Sequence, residues 1–339
     1  MSNESMLESE AAAALLNLHS AFLCAPHVAT TEEKEVQVDI SSAPQVKFRL
    51  SQILTSDADL NSFTGVESMG LLNAIVKAVE KHDKMNTELS VRDRVLIILV
   101  KVRTGLSFSC ISKLFQVSPT SVHRYFYGTL PVLSAVLKSA IPWPSKDEIV
   151  KNMPKCFEDY KRVRIVLDGT EVEVEKSTCL ACRIQTYSNY KRKNTVKYMI
   201  GVSPAGLITF VSNAFGGRAS DGAIVELSNV IDLLEPYDDH VMVDKGFRID
   251  NVCSARGVSI VQPPFLRQQS QLSAGDSIRT AKIARARVHV ERAIQRIKIF
   301  KLLRGPIEWE MLSVIDDIIT VVAGLVNLSR PILNEDKFM

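Results

Sequence analysis

Three acidic residues, far apart in the chain, have the types and positions needed to bind a divalent cation. Asp168 follows the largely apolar run 163–167, whose β-branched residues are typical of a buried strand. Asp244 follows a second short apolar run, 240–243, and Glu291 lies in a basic segment with helical periodicity. Burying an unpaired carboxylate costs several kcal/mol, so each of these acids needs a cation, a partner or access to solvent.

The chemistry of these acids depends on whether they meet. Carboxylates that converge at one edge of a sheet repel one another, which raises their pKa values unless divalent cations neutralise them. Hard carboxylate oxygens without a Cys or His cluster favour Mg²⁺ or Mn²⁺. Two such ions, about 3.5 to 4 Å apart, stabilise the attacking and leaving oxygens of a phosphoryl displacement.

Each acid also has a simpler explanation. Asp168 could end a strand and cap a turn at residues 169–170. Glu291 is the only acid in the basic segment 279–304 and could form an i,i+4 ion pair with Arg287. Only the meeting of all three acids would favour the metal site over these explanations.

The elements that must position the acids are strands followed by one long helix. Strands are predicted over 162–174, 195–202, 207–213, 240–243 and 258–261. Ser203 to Gly206 predicts a hairpin turn, and Ser220 predicts the cap of a helix that runs to Leu234. The long helix is predicted to begin near Ser273, with Asp276 as its capping partner, and to reach Leu303 with a break near Arg279.

The chain from Leu50 to Trp143 has helical periodicity instead. Within it, one helix ends at Gln116, and Ser118 caps a second helix that has Pro119 at its first position. This is the outline of a helix-turn-helix, whose second helix enters the major groove of DNA. Its outward residues would contact DNA: Thr120, Ser121, His123 and Arg124. An ordinary helical hairpin has the same pattern.

Composition sets broad limits. The chain has 339 residues and a net charge of +3, which divides into −4 for residues 1–50 and +7 for the rest. That mild basic bias is compatible with nucleic-acid binding. The six scattered cysteines indicate free thiols in a reducing compartment. Cys179-x-x-Cys182 could be half of a zinc site, but without a second such pair two free thiols are favoured.

No segment has the features of a membrane span or a secretion signal. The apolar run 318–328 is shorter than the roughly 20 residues that a span requires. The run 11–25 follows acids rather than bases, so it predicts a helix over 11–22, with a mobile linker over 26–47.

Five segments together resemble a DDE superfamily transposase of the PIF/Harbinger type. They are DGTEVEV from Asp168, the hairpin 185–206, AFGGRASD ending at Asp221, VMVDKGF around Asp244, and ARVHVERAIQRIKIF around Glu291. The resemblance covers about residues 50–330. It implies an α/β fold, in which an RNase H-like mixed-sheet nuclease domain over 145–334 follows an all-α helix-turn-helix domain over 50–144. Residues 1–49 would be a partly disordered acidic segment.

The resemblance also implies the function. The chain would be a DNA endonuclease or transposase that uses two Mg²⁺ or Mn²⁺ ions, held by a catalytic triad of Asp168, Asp244 and Glu291. Bases near the triad would hold the DNA backbone: Arg287, Arg292 and Lys298. The implied partners are DNA and a Myb-like accessory DNA-binding protein, in a homo-oligomer. The expected location is the nucleus, with the cytoplasm as an additional one.

Some features depart from this family pattern. Relatives often carry a THAP zinc finger, and residues 1–50 contain no Cys and His pattern for one. Asp221, a fourth acid, is predicted to cap a helix or to help position a metal ion or water. Two alternative functions therefore stay open: a domesticated DNA-binding protein that has lost transposition, and an enzyme that cleaves RNA or hybrid duplexes.

Overall fold

The computed structural model describes residues 49–264 and 273–331, which belong to one compact unit. The predicted helix over 11–22 and the linker over 26–47 lie outside the described residues.

Helices occupy the first part of the described chain. They are α1 (Leu50–Ile53), α2 (Asp57–Thr64), α3 (Met69–Glu80), α4 (Val91–Thr104), α5 (Phe108–Phe115) and α6 (Pro119–Lys138). From α2 onward each begins at a serine whose hydroxyl accepts a hydrogen bond from the backbone N–H three residues later: Ser56, Ser68, Ser90, Ser107 and Ser118. These serine caps explain why the helix starts are readable from the sequence.

Helices α5 and α6 form the predicted helix-turn-helix. Helix α5 ends at Gln116, which has a left-handed φ of 54°, and Pro119 occupies the first turn of α6. Between the helices the Phe108 and Phe126 rings meet edge to face with centroids 5.3 Å apart. The buried ring of Phe126 therefore anchors α6 and leaves its N-terminal outer face exposed.

The second part contains a mixed seven-stranded sheet in the described residues. Its strands are β1 (Val163–Glu173), β2 (Tyr187–Ser188), β3 (Lys193–Val202), β4 (Ile208–Val211), β5 (Phe215–Gly216), β6 (His240–Met242) and β7 (Ser259–Val261). The order is β2-β3-β1-β6-β7, and β4 and β5 also pair with β3. Strands β1 and β3 are antiparallel, whereas β6 and β7 run parallel to β1. The predicted α/β class, with a helical region before a mixed sheet, is confirmed.

Further helices flank and connect the strands. They are α7 (Lys146–Lys151), α8 (Leu180–Thr186), α9 (Asp221–Leu227), α10 (Asp250–Ala255), α11 (Ala274–Ile297) and α12 (Ile315–Asn327). Helix α12 accounts for the apolar run near the end of the chain, and it packs on α6 and β4. Among the described helices none combines the length and the apolar character needed to cross a bilayer.

The two faces of the sheet belong to different cores. Val166 of β1 packs in the large core that contains Val290 of α11 and the apolar residues of the helical region. Its neighbours Ile165 and Leu167 point to the opposite face, into a smaller core that contains Ile224 of α9. This alternation along β1 decides which helix each neighbouring side chain can reach.

Two predicted helices have different bounds in the structure. Helix α11 passes through Arg279 without a break and ends at Ile297, so the predicted break and the extension to Leu303 were wrong. Helix α9 stops at Leu227 because Asn229 adopts a left-handed φ of 54°, and a short 3₁₀ segment follows it. Neither change moves the acids, because Asp221 and Glu291 both lie inside the observed helices.

Candidate active site

Asp168 lies inside β1, opposite Ile200 of β3. The alternative of a strand-end residue at a turn was wrong, because β1 continues from Gly169 to Glu173. The strand loses its parallel neighbour at this point, however, since β6 ends at Met242. Asp168 is therefore a mostly buried carboxylate at the point where β1 is no longer paired with β6.

The sheet register places Asp244 beside Asp168. Val166 of β1 pairs with Met242 of β6; Asp168 lies two residues after Val166, and Asp244 lies two residues after Met242. Neighbouring strands lie about 4.8 Å apart, so the two acids occupy equivalent positions on adjacent segments. The Asp244 side chain is half exposed, and its Oδ1 accepts a hydrogen bond from the backbone N–H of Lys245 at 2.7 Å.

Helix α11 supplies the third acid. The helix packs across β1 and β3, with Val290 buried against the sheet. Glu291, the next residue, is exposed. Its negative charge is the smallest of the causes that act on the pKa of Asp168.

The electrostatics of Asp168 reflect this convergence. Burial raises its pKa to about 6, and the charges of Asp244 and Glu291 add to the rise. Arg287 opposes the rise, as does the hydrogen bond of 2.9 Å that the Gly169 N–H donates to Asp168 Oδ1. The structure thus brings the influence of all three predicted acids together at Asp168.

Arg287 partly neutralises this acidic group. Its Nη1 lies 2.9 Å from Asp244 Oδ1, and only 11% of its side chain is exposed. Arg287 therefore pairs with Asp244 and not with Glu291, as the simpler explanation of Glu291 would require, because α11 turns Arg287 toward the end of β6. Within the described residues, Arg287 Nε is buried without a hydrogen-bond partner. The guanidinium thus supplies positive charge among the acids without being fully satisfied.

The acids suit a hard divalent cation in their chemistry. All are oxygen donors, which hard divalent cations prefer. In the part of the chain that the structure describes, no three His, Cys, Asp or Glu side chains stand close enough together to hold an ion. The donor types and the neighbouring positions of Asp168 and Asp244 therefore fit a metal ion, whereas the Asp244 side chain pairs with Arg287 and Glu291 is exposed.

Asp221 approaches the same strand from the other face. It follows the cap residue Ser220 at the start of α9, and its Oδ1 would lie 2.8 Å from a Cβ added to Gly169. Lys197 of β3 holds Asp221 in an ion pair of 3.5 Å. A side chain at position 169 would force the Asp221 carboxylate to move, so Gly169 permits this close approach.

A basic cleft of about 870 Å³ runs between α11 and the start of β3. Predicted DNA-contacting bases Arg292 and Lys298 line it together with Lys191 and Lys193. Burial lowers the pKa of Lys298, Lys191 lowers it further, and Asp168 acts in the opposite direction. Lys298 therefore lines the basic cleft, and the charge of Asp168 also acts on it.

The predicted DNA-contacting residues of α6 differ in their exposure and in their contacts with neighbouring side chains. Thr120 and Arg124 are exposed, and the Arg124 guanidinium lies 5.2 Å from the ring centroid of Tyr125. The His123 ring packs 4.4 Å from that of Tyr127. Ser121 shares a hydrogen bond of 2.9 Å with the cap hydroxyl of Ser118. Arg124 and Thr120 are thus the residues best placed to meet a ligand.

Comparison with known families matches these two regions. Residues 167–327 match the model of the DDE superfamily endonuclease, and residues 87–139 match the helix-turn-helix of DDE superfamily endonuclease. The chain therefore carries a DDE endonuclease domain and its helix-turn-helix. No curated protein and no solved structure gives a significant match to the chain. The predicted resemblance to the DDE superfamily is confirmed.

The DDE endonuclease domain contains polar contacts that the sequence did not predict. Glu171 accepts a hydrogen bond of 2.8 Å from Thr195 Oγ1 and lies 3.5 Å from Lys197 Nζ. Lys197 also pairs with Asp221, so it connects β1 to α9. Only the pairing of Glu171 with Lys197 across β1 and β3 could have revealed this network, and that register is a long-range feature.

Within the described residues of the DDE endonuclease domain, Cys179 and Cys182 do not belong to a group of three side chains that could hold a metal ion. Cys179 precedes α8 and Cys182 lies within it, and both thiols are free. Hydrogen bonds from the backbone N–H and then the thiol of Cys182 lower the pKa of Cys179, and the hydrogen bond between the two thiols raises the pKa of Cys182.

Proposed function

We propose that the chain is a metal-dependent DNA endonuclease or transposase, with Asp168, Asp244 and Glu291 as its catalytic triad. The observation that supports this most is the pKa of Asp168, raised to about 6 by burial and by the charges of the other two acids. A buried carboxylate of this kind is costly without a function, and perturbed acids of this kind are common in active sites.

The triad residues would hold two divalent ions, Mg²⁺ or Mn²⁺. When bound, such ions would activate the attacking water or 3′ hydroxyl and stabilise the leaving oxygen during hydrolysis or strand transfer. Asp168 would hold its ions in a fixed position because β1 and the Gly169 N–H orient its carboxylate. Asp221, held by Lys197 on the other face, would be a secondary residue that positions metal or water.

Basic residues would bind the DNA around these acids. Arg287 would exchange its ion pair with Asp244 for a contact with a DNA phosphate once a cation neutralises the acid. Arg292 and Lys298 would hold the backbone in the basic cleft. Helix α6 would contact the duplex through Thr120, Ser121, His123 and Arg124.

The setting of this activity follows from the same proposal. The nuclease domain would span 145–334 with an RNase H-like fold, after a helix-turn-helix domain over 50–144. The protein would act in the nucleus as a homo-oligomer, with a Myb-like accessory DNA-binding protein as partner.

A second candidate is a DNA-binding protein that has lost transposition. One observation favours it: Arg287 already neutralises Asp244, and the described acids do not stand at the spacing of a three-ligand site. This candidate predicts DNA binding without any nicking in Mg²⁺ or Mn²⁺.

A nicking assay separates the two candidates. We expect the wild-type protein to nick supercoiled DNA in Mg²⁺ or Mn²⁺. Asp168→Asn should nick it at least roughly 10³-fold more slowly, because several kcal/mol of charge stabilisation is lost. Asp232→Asn is the matched control, since Asp232 is an exposed acid paired with Arg256. If Asp168→Asn nicks as fast as the wild type, the proposed triad is wrong.

A further inference from the structure

The turn between β2 and β3, residues 189–192, has a defined conformation. Ser188 accepts two hydrogen bonds from it, one from Arg192 N to its carbonyl at 2.8 Å and one from Lys191 N to its hydroxyl at 3.2 Å. Arg192 has a φ of 55°, a left-handed conformation that is uncommon for residues other than glycine. The turn therefore presents its tip in one orientation.

The tip carries an aromatic ring with no packing role. Tyr190 is 83% exposed, and the ammonium of Lys191 lies 4.9 Å from its ring centroid. Tyr187, at the base of the turn, is 42% exposed. Two exposed tyrosines on a basic turn form a surface on which planar rings can stack.

Basic hollows lie on both sides of this turn. The basic cleft, with Lys191, Lys193 and Lys298, lies on the side of α11. A second hollow of about 620 Å³ lies on the other side and is lined by Arg183, Arg192 and other bases. In the part of its lining that the structure describes, this outer hollow contains no carboxylate, whereas the basic cleft contains Glu171 and Glu173. Lys193, whose ammonium pairs with Glu173 at 2.7 Å, lines both hollows, so the two hollows adjoin across the turn and Lys191 and Arg192 supply positive charge on its two sides.

These adjoining hollows begin beside the candidate active site. Glu171, three residues after Asp168 in β1, lines the basic cleft, and so does Lys298, at the end of the helix that carries Glu291. A strand whose phosphate lies at the acids could therefore follow the basic cleft, cross the turn and enter the outer hollow. Lysine and arginine would bind its phosphates without sequence preference.

The exposed tyrosines select the form of nucleic acid. In a duplex the base faces are stacked on one another, so a duplex would offer this surface only its phosphates. An unpaired strand offers its base faces to Tyr190 and Tyr187. We propose that the 189–192 turn and its two hollows bind an unpaired nucleic-acid strand next to the catalytic acids. This inference rests on the proposed function and adds the substrate form that the site holds.

The test is a binding measurement on the full chain in EDTA, so that no cleavage occurs. Fluorescence anisotropy would compare a labelled single-stranded oligonucleotide with the same sequence as a duplex. We expect Tyr190→Ala to weaken single-strand binding roughly 5- to 100-fold, the range for loss of one base–aromatic stack. Tyr190→Trp should restore it, and the affinity for the duplex should change less than about twofold.

Tyr237→Ala is the matched control, because Tyr237 is 86% exposed and contacts Gly257, outside this surface. It should leave single-strand affinity unchanged. The inference is overturned if Tyr190→Ala binds the single strand like the wild type, if it loses duplex binding equally, or if an acidic peptide competes as well as the oligonucleotide. Binding without divalent ions is independent of nicking, so a protein that binds single strands but never nicks would refute only the proposed catalysis.

Discussion

The acidic end of the sheet and the outer face of helix α6 are both polar surfaces, but they are constructed differently. Asp168 is mostly buried, and its pKa is raised by burial and by acids from β6 and α11. The α6 residues Thr120 and Arg124 are exposed on one helix whose start is set by its own serine cap. Long-range pairing thus creates a strained group of charges at the sheet, whereas local signals create an unstrained surface on α6.

The difference teaches where stability and function oppose each other. A carboxylate whose pKa is raised by folding destabilises the ionised native state, so the acidic group should cost stability at neutral pH. An exposed helical arginine carries no such cost. Removing the charge of Asp168 should therefore raise the free energy of unfolding, whereas removing that of Arg124 should leave it unchanged.

The largest effect is expected for Asp168→Asn in the absence of metal. The folded pKa of about 6 exceeds the usual value of 3.8, so the stability contributed by Asp168 is complete below about pH 3.8 and is lost as the pH rises through 6. Asn cannot ionise, so the variant should be more stable than the wild type by roughly 2 to 3 kcal/mol at pH 7.5. Urea unfolding in EDTA measures this difference.

The same series at low pH is the control. Near pH 4 the wild-type carboxyl is largely protonated in the folded state, so the two proteins should differ much less there. An equal difference at both pH values, or a less stable variant at pH 7.5, would contradict the raised pKa.

On α6, Arg124→Ala should change DNA binding without changing stability. Arg124 is exposed, so its loss should weaken duplex affinity by roughly 1 to 3 kcal/mol if it contacts a base edge and about equally for all sequences if it contacts a phosphate. Anisotropy with duplexes of different sequence separates these outcomes. Lys77→Ala, at an exposed lysine of α3, should leave affinity unchanged. Unchanged duplex affinity for Arg124→Ala would remove α6 from the DNA contacts.

The smallest effect is expected for Ser118→Ala. The Ser118 hydroxyl accepts a hydrogen bond of 3.1 Å from Ser121 N at the start of α6, and loss of such a cap costs about 1 kcal/mol. Ser62→Ala should be close to neutral, because Ser62 is an exposed residue within α2 whose hydroxyl donates a hydrogen bond to the Ala58 carbonyl. Equal thermal shifts for both variants would show that the cap does not determine the α6 start.

Local signals explain what the sequence could predict. Ser118 with Pro119 marked the turn of the helix-turn-helix, and the turn 203–206 marked the hairpin of β3 and β4. The sheet register places Asp244 beside Asp168, but in the described residues the three acids do not form a cluster that could hold an ion, and their role as a catalytic triad stays a proposal.

Contacts between distant segments explain what the sequence could not predict. An ion pair of Arg287 with Glu291, one helical turn away, was the simpler alternative, but α11 docks on the sheet so that Arg287 reaches Asp244. Strands β2 and β5 have two residues each and exist only because β3 pairs with them. The close approach of Asp221 to Gly169 likewise depends on the docking of α9.

The most direct test of the central claim is a Mg²⁺ or Mn²⁺ titration of the purified protein, followed by thermal shift. If Asp168, Asp244 and Glu291 hold divalent ions together, the wild-type melting temperature rises with metal concentration, because an ion that binds only the folded state stabilises it. The same titration of Glu291→Gln should show little or no rise. A flat wild-type curve, or an equal rise in the Glu291→Gln variant, would contradict the account.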